Sequence, residues 1–330
     1  MNAVQDSNST DSIVNTRWPD AQWDVSGAFV DDRELLLFHD FFLQATGTKL
    51  IRLVHGAPLF LWNSGRVHPR SACTPEQMRN AGLAYAHRGI AVDLTFTNNL
   101  LKPEHMNNPL GNSLLEFFEK TANPTGQNAV ICASDALYDH VGKNFPKLKR
   151  VSSILKVSCE GGRGKPDYYR RLAERFDKVM IHPDDARNFE MLAQLEDKDR
   201  YEVIVNEYCI RDCKLRARHY KYVSNLALNF FGYFDEKFEE LWHKNGCNDL
   251  NVLVGDPART TVALSLDEMT RLYDLGFRKF KVQGRGMRNG GGVIIDLLRL
   301  ALRDDTPGEN FMQRLKLQFL EATAALSPKI

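Results

Sequence analysis

A group of chemically reactive side chains follows an apolar segment in the second half of the chain. Val203, Ile204 and Val205 are β-branched and predict a buried strand. The sequence that follows carries an amide, a carboxylate, two thiols and an imidazole: Asn206, Glu207, Cys209, Cys213 and His219. Thiolates and imidazoles bind metals, and a carboxylate can act as a general acid or base. The pattern predicts a functional site, although a strand followed by a charged helix with incidental cysteines would also produce it.

The composition is that of an ordinary globular protein. The chain has 330 residues, 43% hydrophobic and 26% charged, with a net charge of +1, so no strong field points to nucleic acid or a membrane. No apolar run approaches the roughly 20 residues that span a bilayer, and the N-terminus lacks a signal-peptide pattern. The six cysteines are therefore expected to be thiols or metal ligands. These features predict a cytoplasmic protein.

Strand-like and helix-like segments alternate along most of the chain. The predicted strands are 49–53, 91–96, 129–132, 150–157, 178–181, 202–205, 250–254 and 278–282. Helical patterns follow most of them, so the chain is predicted to be an α/β protein with a TIM-like (β/α)8 barrel. Residues 1–30 are predicted to be a polar N-terminal arm and residues 31–330 a single barrel domain. An open doubly wound sheet is the alternative, but only closure would pair the strand near Leu53 with the strand near Lys281.

Polar residues stand at the carboxyl ends of the predicted strands, where TIM barrels place their active sites. His55 and His182 are each a candidate general base, because histidine titrates near neutrality. Glu207, beside Asn206, is a candidate acid or base if burial raises its pKa. Asn98 and Lys156 are candidates for substrate binding. For each of these residues a structural role is the alternative.

A glycine-rich segment, GRGMRNGGG at residues 284–292, precedes the last predicted helix. Glycines before a helix N-terminus let backbone N–H groups approach an anion, and late loops of TIM barrels frequently bind phosphate. Gln283, Gly284, Arg285 and Arg288 are therefore candidates for binding an anionic substrate, the alternative being a turn. The basic run at residues 214–224 favours a solvated helix over a nucleic-acid surface.

Several short motifs resemble those of the collagenase-like peptidase superfamily. Residues 276–286 (GFRKFKVQGRG) resemble a late signature of that superfamily, and residues 206–220 (NEYCIRDCKLRARHY) are similar to a motif of an uncharacterised branch. Residues 58–66, 93–101, 152–158 and 177–184 resemble the branch's other motifs in the same order. The resemblance implies a TIM-like barrel. Several members hold a four-iron four-sulfur cluster on four cysteines and assist oxygen-independent hydroxylation of ubiquinone precursors or RNA bases; others are described as peptidases.

The cysteine spacing of this chain differs from that of the cluster-binding members. Iron–sulfur clusters are usually held by four thiolates. Cys209 and Cys213 are the first two candidate ligands, Cys247 the third and Cys159 the fourth. A mononuclear zinc site on Cys209, Cys213 and His219, completed by Cys247 or water, is the alternative.

Two functions follow from the sequence. The first is a barrel enzyme, or enzyme subunit, whose cysteine-ligated metal centre, iron–sulfur before zinc, modifies a small, anionic substrate, with a redox or accessory protein as partner. The resemblance implies oxygen-independent hydroxylation as its reaction. The second is a non-catalytic binding barrel with structural cysteines. Peptidase activity is less expected, because the chain has no G-x-S-x-G or H-E-x-x-H motif.

Overall fold

A closed barrel of eight parallel strands forms the centre of the computed structural model, which confirms the predicted TIM-like fold. The structure describes residues 16–64, 73–121, 127–207, 209–230, 232–244, 264–284 and 290–303. The strands are β1 (Gln22–Ser26), β2 (Ile51–Gly56), β3 (Ala91–Phe96), β4 (Ala129–Cys132), β5 (Lys149–Ser152), β6 (Lys178–Ile181), β7 (Tyr201–Ile204) and β8 (Lys279–Val282). Each strand pairs in parallel with the next, and β8 pairs with β1.

Helices surround the barrel. They are α1 (Asp32–Thr46), α2 (Pro75–Arg88), α3 (Pro109–Lys120), α4 (Asp135–Asn144), α5 (Ile154–Cys159), α6 (Pro166–Arg175), α7 (Phe189–Ala193), α8 (Arg216–Leu228), α9 (Glu236–Lys244), α10 (Leu266–Asp274) and α11 (Gly290–Ala301). Local sequence sets several of their ends: α2 begins with a capping box between Thr74 and Gln77 and ends at left-handed Gly89. None of the helices in the described ranges is long and apolar enough to cross a membrane.

The barrel interior is divided into an apolar part and a charged part. The apolar part is a cluster that includes Ala129, Ile131, Val151, Met180 and Ile204 from β4 to β7. Ile154 and Leu155 of α5, together with Tyr220 of α8, pack on the same cluster. These two helices therefore cover part of the barrel at the carboxyl ends of its strands.

The first strand lies where the sequence analysis placed the polar arm. Gln22–Ser26 is inserted between β2 and β8, and its central residue Asp24 is paired with both Leu53 and Lys281. The predicted direct pairing of Leu53 with Lys281 is therefore wrong, although the barrel is closed. A single aspartate interrupts the apolar pattern of this short strand, and for that reason the segment resembled a loop.

The predicted strand at 150–157 is also corrected. Only its first part is a strand, β5, and the chain then turns into α5. The Ser153 hydroxyl caps this helix by accepting a hydrogen bond from the Leu155 N–H at 3.2 Å. Ile154 of this helix packs on the apolar cluster inside the barrel instead of extending the strand. The predicted strand at 250–254 lies outside the described residues, and β7 pairs directly with β8.

Candidate active site

A buried aspartate–histidine pair lies inside the barrel. The Nδ1 atom of His55 on β2 is 2.7 Å from Oδ1 of Asp24 on β1. The second carboxylate oxygen of Asp24 accepts a hydrogen bond from the Nζ atom of Lys281 on β8. All three residues are buried. Since an ionised carboxylate only accepts hydrogen bonds, Nδ1 of His55 must carry the proton of this contact.

Three further charged side chains continue this arrangement across the barrel. The Nζ atom of Lys178 on β6 donates to Oδ2 of Asp93 on β3 at 2.9 Å and to Oε1 of Glu202 on β7 at 2.6 Å. Oε2 of Glu202 lies 3.9 Å from Nζ of Lys281. Because β3 and β6 are not neighbours in the barrel, the bond between Lys178 and Asp93 must cross its interior.

These six residues are named here the interior charge cluster: Asp24, His55, Asp93, Lys178, Glu202 and Lys281. TIM-barrel interiors are ordinarily filled by branched aliphatic side chains. Removing a charge from water costs several kcal/mol even after the protein relaxes, so unusual groups of buried charges often mark functional sites.

The cluster shifts the pKa values of its members in different directions. For Asp24, burial would raise the pKa, but the neighbouring His55 and Lys281 lower it well below its usual range. Burial lowers the pKa of His55 below its usual value, and Asp24 opposes this only in part. Burial would also lower the pKa of Lys178, but Asp93 and Glu202 raise it far above its usual value. Near neutral pH, Asp24 and Lys178 are therefore charged and His55 is neutral.

This combination prepares His55 for proton transfer. A neutral imidazole whose Nδ1–H is held by a carboxylate has its lone pair on Nε2, where it can accept a proton. The carboxylate fixes the ring's tautomer and stabilises the imidazolium that forms, as in hydrolytic triads. His55, which the sequence analysis named as a candidate base, has the partner that this role requires.

The predicted residues Asn206 and Glu207 connect the ends of β7 and β8. Asn206 is buried; its Nδ2 donates to the carbonyl of Gln283 at 2.9 Å and to Oδ2 of Asp296 at 3.0 Å, and its Oδ1 accepts from the Gln283 N–H at 2.6 Å. Gln283 in turn donates through Nε2 to Oε2 of the buried Glu207 at 2.9 Å. These hydrogen bonds bring Asn206 and Gln283 together and fix the carboxyl ends of β7 and β8 relative to each other.

His182 and Asn98 also make structural hydrogen bonds. His182 is buried at the end of β6, and its Nδ1 accepts a hydrogen bond from the Asp184 N–H at 3.2 Å. Asn98 donates through Nδ2 to the carbonyls of Leu61 at 2.8 Å and Ser224 at 3.1 Å. The latter bond ties the loop after β3 to α8. The structure therefore shows loop-fixing contacts for both residues.

Lys156 lies on α5, where its buried ammonium group bridges two carboxylates. Nζ donates to Oδ1 of Asp135 at 3.0 Å and to Oε1 of Glu160 at 2.6 Å. The positive charge of Lys156 is therefore balanced by these two carboxylates of the protein. Gly284 has a packing role, since a Cβ atom there would lie 2.4 Å from Cγ2 of Val293. Arg285 and Arg288 lie outside the described residues.

The cysteines were predicted to gather around a metal. Cys159 accepts a hydrogen bond from Nδ2 of Asn99 at 3.3 Å, and burial raises the pKa of its thiol to about 11. Cys209 and Cys213 are half-buried. Within the described ranges, no three His, Cys, Asp or Glu side chains form a group that could hold a metal ion. Cys247 lies outside these ranges, so the predicted set of four thiolates stays a prediction.

The loops that follow β6 and β7 meet at a buried ion pair. Nη2 of Arg216 lies 3.1 Å from Oδ1 of Asp184, and the Asp212 N–H donates to the same oxygen at 3.1 Å. Arg163 adds a second cation, 3.2 Å from the other oxygen of Asp184. This cluster holds the segment that carries Cys209 and Cys213 against the strand end at His182.

Most of the interior charge cluster was missed by the sequence analysis: Asp24, Asp93, Lys178, Glu202 and Lys281. A signal was present in β3 and β8, which alternate these charges with large apolar residues, as in AVDLTF and KFKV. Such alternation ordinarily indicates a strand with one face in solvent. In a barrel covered by helices, the charged face can only point inward.

Comparisons with known proteins support the fold. No protein-family model matches the sequence, and no curated protein matches it. Among solved structures, the U32 peptidase Mk0906 is similar with a TM-score of 0.50 and 14% sequence identity, over 81% of this chain and 93% of that one. The phospho-2-dehydro-3-deoxyheptonate aldolase of Thermotoga maritima has a TM-score of 0.20 and 12% identity over 84% and 70% of the two chains. At this identity the first likeness shows a shared barrel fold.

Proposed function

We propose that this protein is a barrel enzyme in which His55 transfers a proton to or from a small substrate at the carboxyl end of the strands. One observation carries the proposal: the buried 2.7 Å contact between Nδ1 of His55 and Oδ1 of Asp24. This contact leaves Nε2 as the proton acceptor of a neutral imidazole. General acid–base catalysis by one such group typically contributes about 10²–10⁴-fold to a rate.

The position of His55 supports a role at the mouth. His55 is paired with Ser26, the last residue of β1, and is followed by only one further residue of β2. Both strands therefore end close to the imidazole. In TIM-barrel enzymes this end of the barrel carries the active site.

The proposed role of His55 as a base limits the class of reaction to those that begin with removal of a proton. His55 could remove a proton from a carbon or hydroxyl group of the substrate, or activate a water molecule for hydrolysis. Hydrolysis of a peptide bond, the activity named for the structurally similar U32 peptidase, falls in this class. Oxygen-independent hydroxylation of an anionic substrate stays a prediction from the resemblance, since it depends on Cys247, Arg285 and Arg288.

A turnover screen tests the proposal and does not require the substrate to be identified first. The purified protein is incubated with a mixture of cellular metabolites and, separately, with casein, and changes are followed by mass spectrometry. We expect the wild type to convert at least one compound and His55→Gln to do so at least about 10²-fold more slowly.

His87→Gln is the matched control, because His87 is exposed in the last turn of α2. Equal turnover by the wild type and the His87 variant would attribute the loss to His55. Turnover that persists undiminished in His55→Gln, in a variant with wild-type circular dichroism, would overturn the proposal.

A further inference from the structure

The interior charge cluster contains three carboxyl groups, two ammonium groups and one imidazole. If His55 is neutral and every other member is charged, the cluster carries one unit of net negative charge in the buried interior of the barrel. Such a charge is costly there, so a proton bound to one of the carboxyl groups would stabilise the fold. The geometry identifies which carboxyl group binds it.

Asp24 and Asp93 have the contacts of ionised groups. Each oxygen of Asp24 accepts a hydrogen bond, one from His55 and one from Lys281. Asp93 receives a charged donor, the ammonium group of Lys178, at 2.9 Å. Hydrogen bonds from charged donors favour the ionised form of a carboxyl group.

Glu202 differs from both. Its Oε1 accepts from Lys178, but its Oε2 is buried and has no hydrogen-bond partner among the described residues. The second ammonium group of the cluster, Nζ of Lys281, lies 3.9 Å from Oε2, beyond hydrogen-bond distance, and is bound to Asp24 instead. The side chain is only 1% exposed. A lone buried oxygen of this kind is far less costly on a neutral carboxyl group than on a charged one.

We propose that Glu202 carries a proton in the folded protein. Because its carboxyl group is then neutral, it does not compete for Lys281, which stays bound to Asp24. Asp24 in turn holds the imidazole of His55. Glu202 is then a positioning residue that acts through Lys281 and Asp24. Its link to catalysis rests on the proposed function of His55, whereas its protonation does not. Consistently, burial raises the pKa of Glu202, and Lys178 opposes the rise only in part.

The charged groups around His55 and Glu202 come from five other strands, β1, β3, β5, β6 and β8. His55 interacts electrostatically with Asp24, Lys281 and Asp93. Glu202 interacts electrostatically with Lys178, Asp24, Lys281 and Asp93. Two further charged residues, Lys279 on β8 and Lys149 on β5, lie at the amino ends of the strands. Lys279 interacts electrostatically with Glu202 and with Lys149. The remaining interior strand, β4, presents Ala129 and Ile131. Glu202 is therefore the group of this set whose contacts fit a neutral carboxyl.

Infrared and nuclear magnetic resonance spectroscopy test the proposal on the full chain. A protonated carboxyl group gives a C=O stretch that is separate from the carboxylate band. We expect this band in the wild type at neutral pH and its loss at alkaline pH. The ¹⁵N signals of His55, assigned with His55→Gln, should shift with the same midpoint, because ionised Glu202 would compete with Asp24 for Lys281.

Glu202→Gln should lack both transitions, since glutamine is a neutral group of the same shape. Glu268→Gln is the control, because Glu268 pairs with Arg187 at the surface and its ionised form is favoured. This variant should retain both transitions. A wild type without the carboxyl band would overturn the proposal, as would a His55 transition that persists in Glu202→Gln.

The wild-type measurements decide the matter even if a variant fails to fold. A wild type that shows both transitions but turns over no substrate would contradict the function proposed for His55 and leave the protonation of Glu202 intact. An ionised Glu202 whose free oxygen binds a cation or a water molecule would show no carboxyl band, which is the overturning result.

Discussion

At the scale of single residues, the molecule depends on a few buried charges that compensate one another. Asp24 illustrates this, because it is buried in the first strand and bonds to both His55 and Lys281. Each charge in such a network is tolerated only while its partners stay in place. Substitutions here are therefore expected to affect stability as well as any activity.

Asp24→Asn should lower the free energy of unfolding by about 3–5 kcal/mol, because it leaves the buried ammonium group of Lys281 without its closest counter-charge. Urea denaturation at neutral pH measures the change. Asp20→Asn is the matched control: Asp20 pairs with Arg278 but is 58% exposed. Its loss should cost less than about 1 kcal/mol. Equal effects of the two substitutions would contradict the buried network.

The pKa of His55 predicts how stability depends on pH. Burial holds this pKa below its ordinary value of 6.5 in the folded protein. As the pH falls through 6.5, the unfolded chain therefore binds a proton that the folded chain does not, and stability decreases. The melting temperature should fall between about pH 7.5 and about pH 5.5. His55→Gln should show a shallower fall, and an unchanged slope would show that other groups cause it.

The predicted cysteine-ligated metal centre has a direct chemical test. Anaerobic purification followed by iron, sulfide and zinc analysis measures any bound metal. If Cys209 and Cys213 are ligands, Cys209→Ala and Cys213→Ala should each lose most of it while staying soluble, because too few thiolates would be left. Cys132→Ala is a control, since Cys132 is buried among apolar side chains on the outer face of β4. Full retention of metal in both ligand variants would exclude the site.

At the scale of elements, close contacts between loops and helices fix the carboxyl end of the barrel. The indole of Trp62, in the loop after β2, is fully buried and donates through Nε1 to the carbonyl of His105 at 2.9 Å. It packs against Gly111 in the first turn of α3, where a Cβ atom would lie 2.3 Å from the ring. The buried indole of Trp62 therefore leaves no room for a Cβ atom at Gly111, even though glycine lowers helix propensity.

Gly111→Ala should destabilise the fold by about 1–3 kcal/mol through overpacking, despite the better helix propensity of alanine. Trp62→Phe should remove much of this penalty, because the smaller ring leaves room for the added methyl group. A double-mutant cycle from urea denaturation measures the coupling between the two positions. Additive effects would show that the methyl group and the indole do not compete for the same space.

At the scale of the whole molecule, the barrel is closed by a strand from a segment whose composition resembles that of a polar arm. β1 pairs with β2 on one side and β8 on the other. Its residues Trp23 and Val25 are buried in the core between strands and helices. Without β1, the edges of β2 and β8 would be left with unpaired backbone groups.

Removing residues 1–30 should therefore prevent formation of the closed barrel, with loss of the native circular dichroism spectrum or of solubility. Removing residues 1–15 alone is the comparison, since this shorter truncation keeps β1. A soluble, cooperatively unfolding protein after the longer truncation would contradict the role of β1 in closure. Loss of folding in both truncations would mean that the effect cannot be assigned to the strand.

The sequence by itself determined the class of fold and most of its elements. β3, β4 and β6 have the predicted bounds, because their apolar runs are short and bordered by clear helix starts. His55 could also be identified from the sequence, since it follows such a run. Local pattern sufficed for these features because propensity and capping act over only a few residues.

Only the tertiary structure decided which charged residues meet. Asp24 and Lys281 are separated by most of the chain, and no local pattern shows that β1 lies between β2 and β8. Alternation of charged and apolar residues is the same for a strand facing water and for one facing a barrel interior. Closure of the sheet beneath its helices turns the charged face inward. This step converts separate polar residues into a connected cluster around His55.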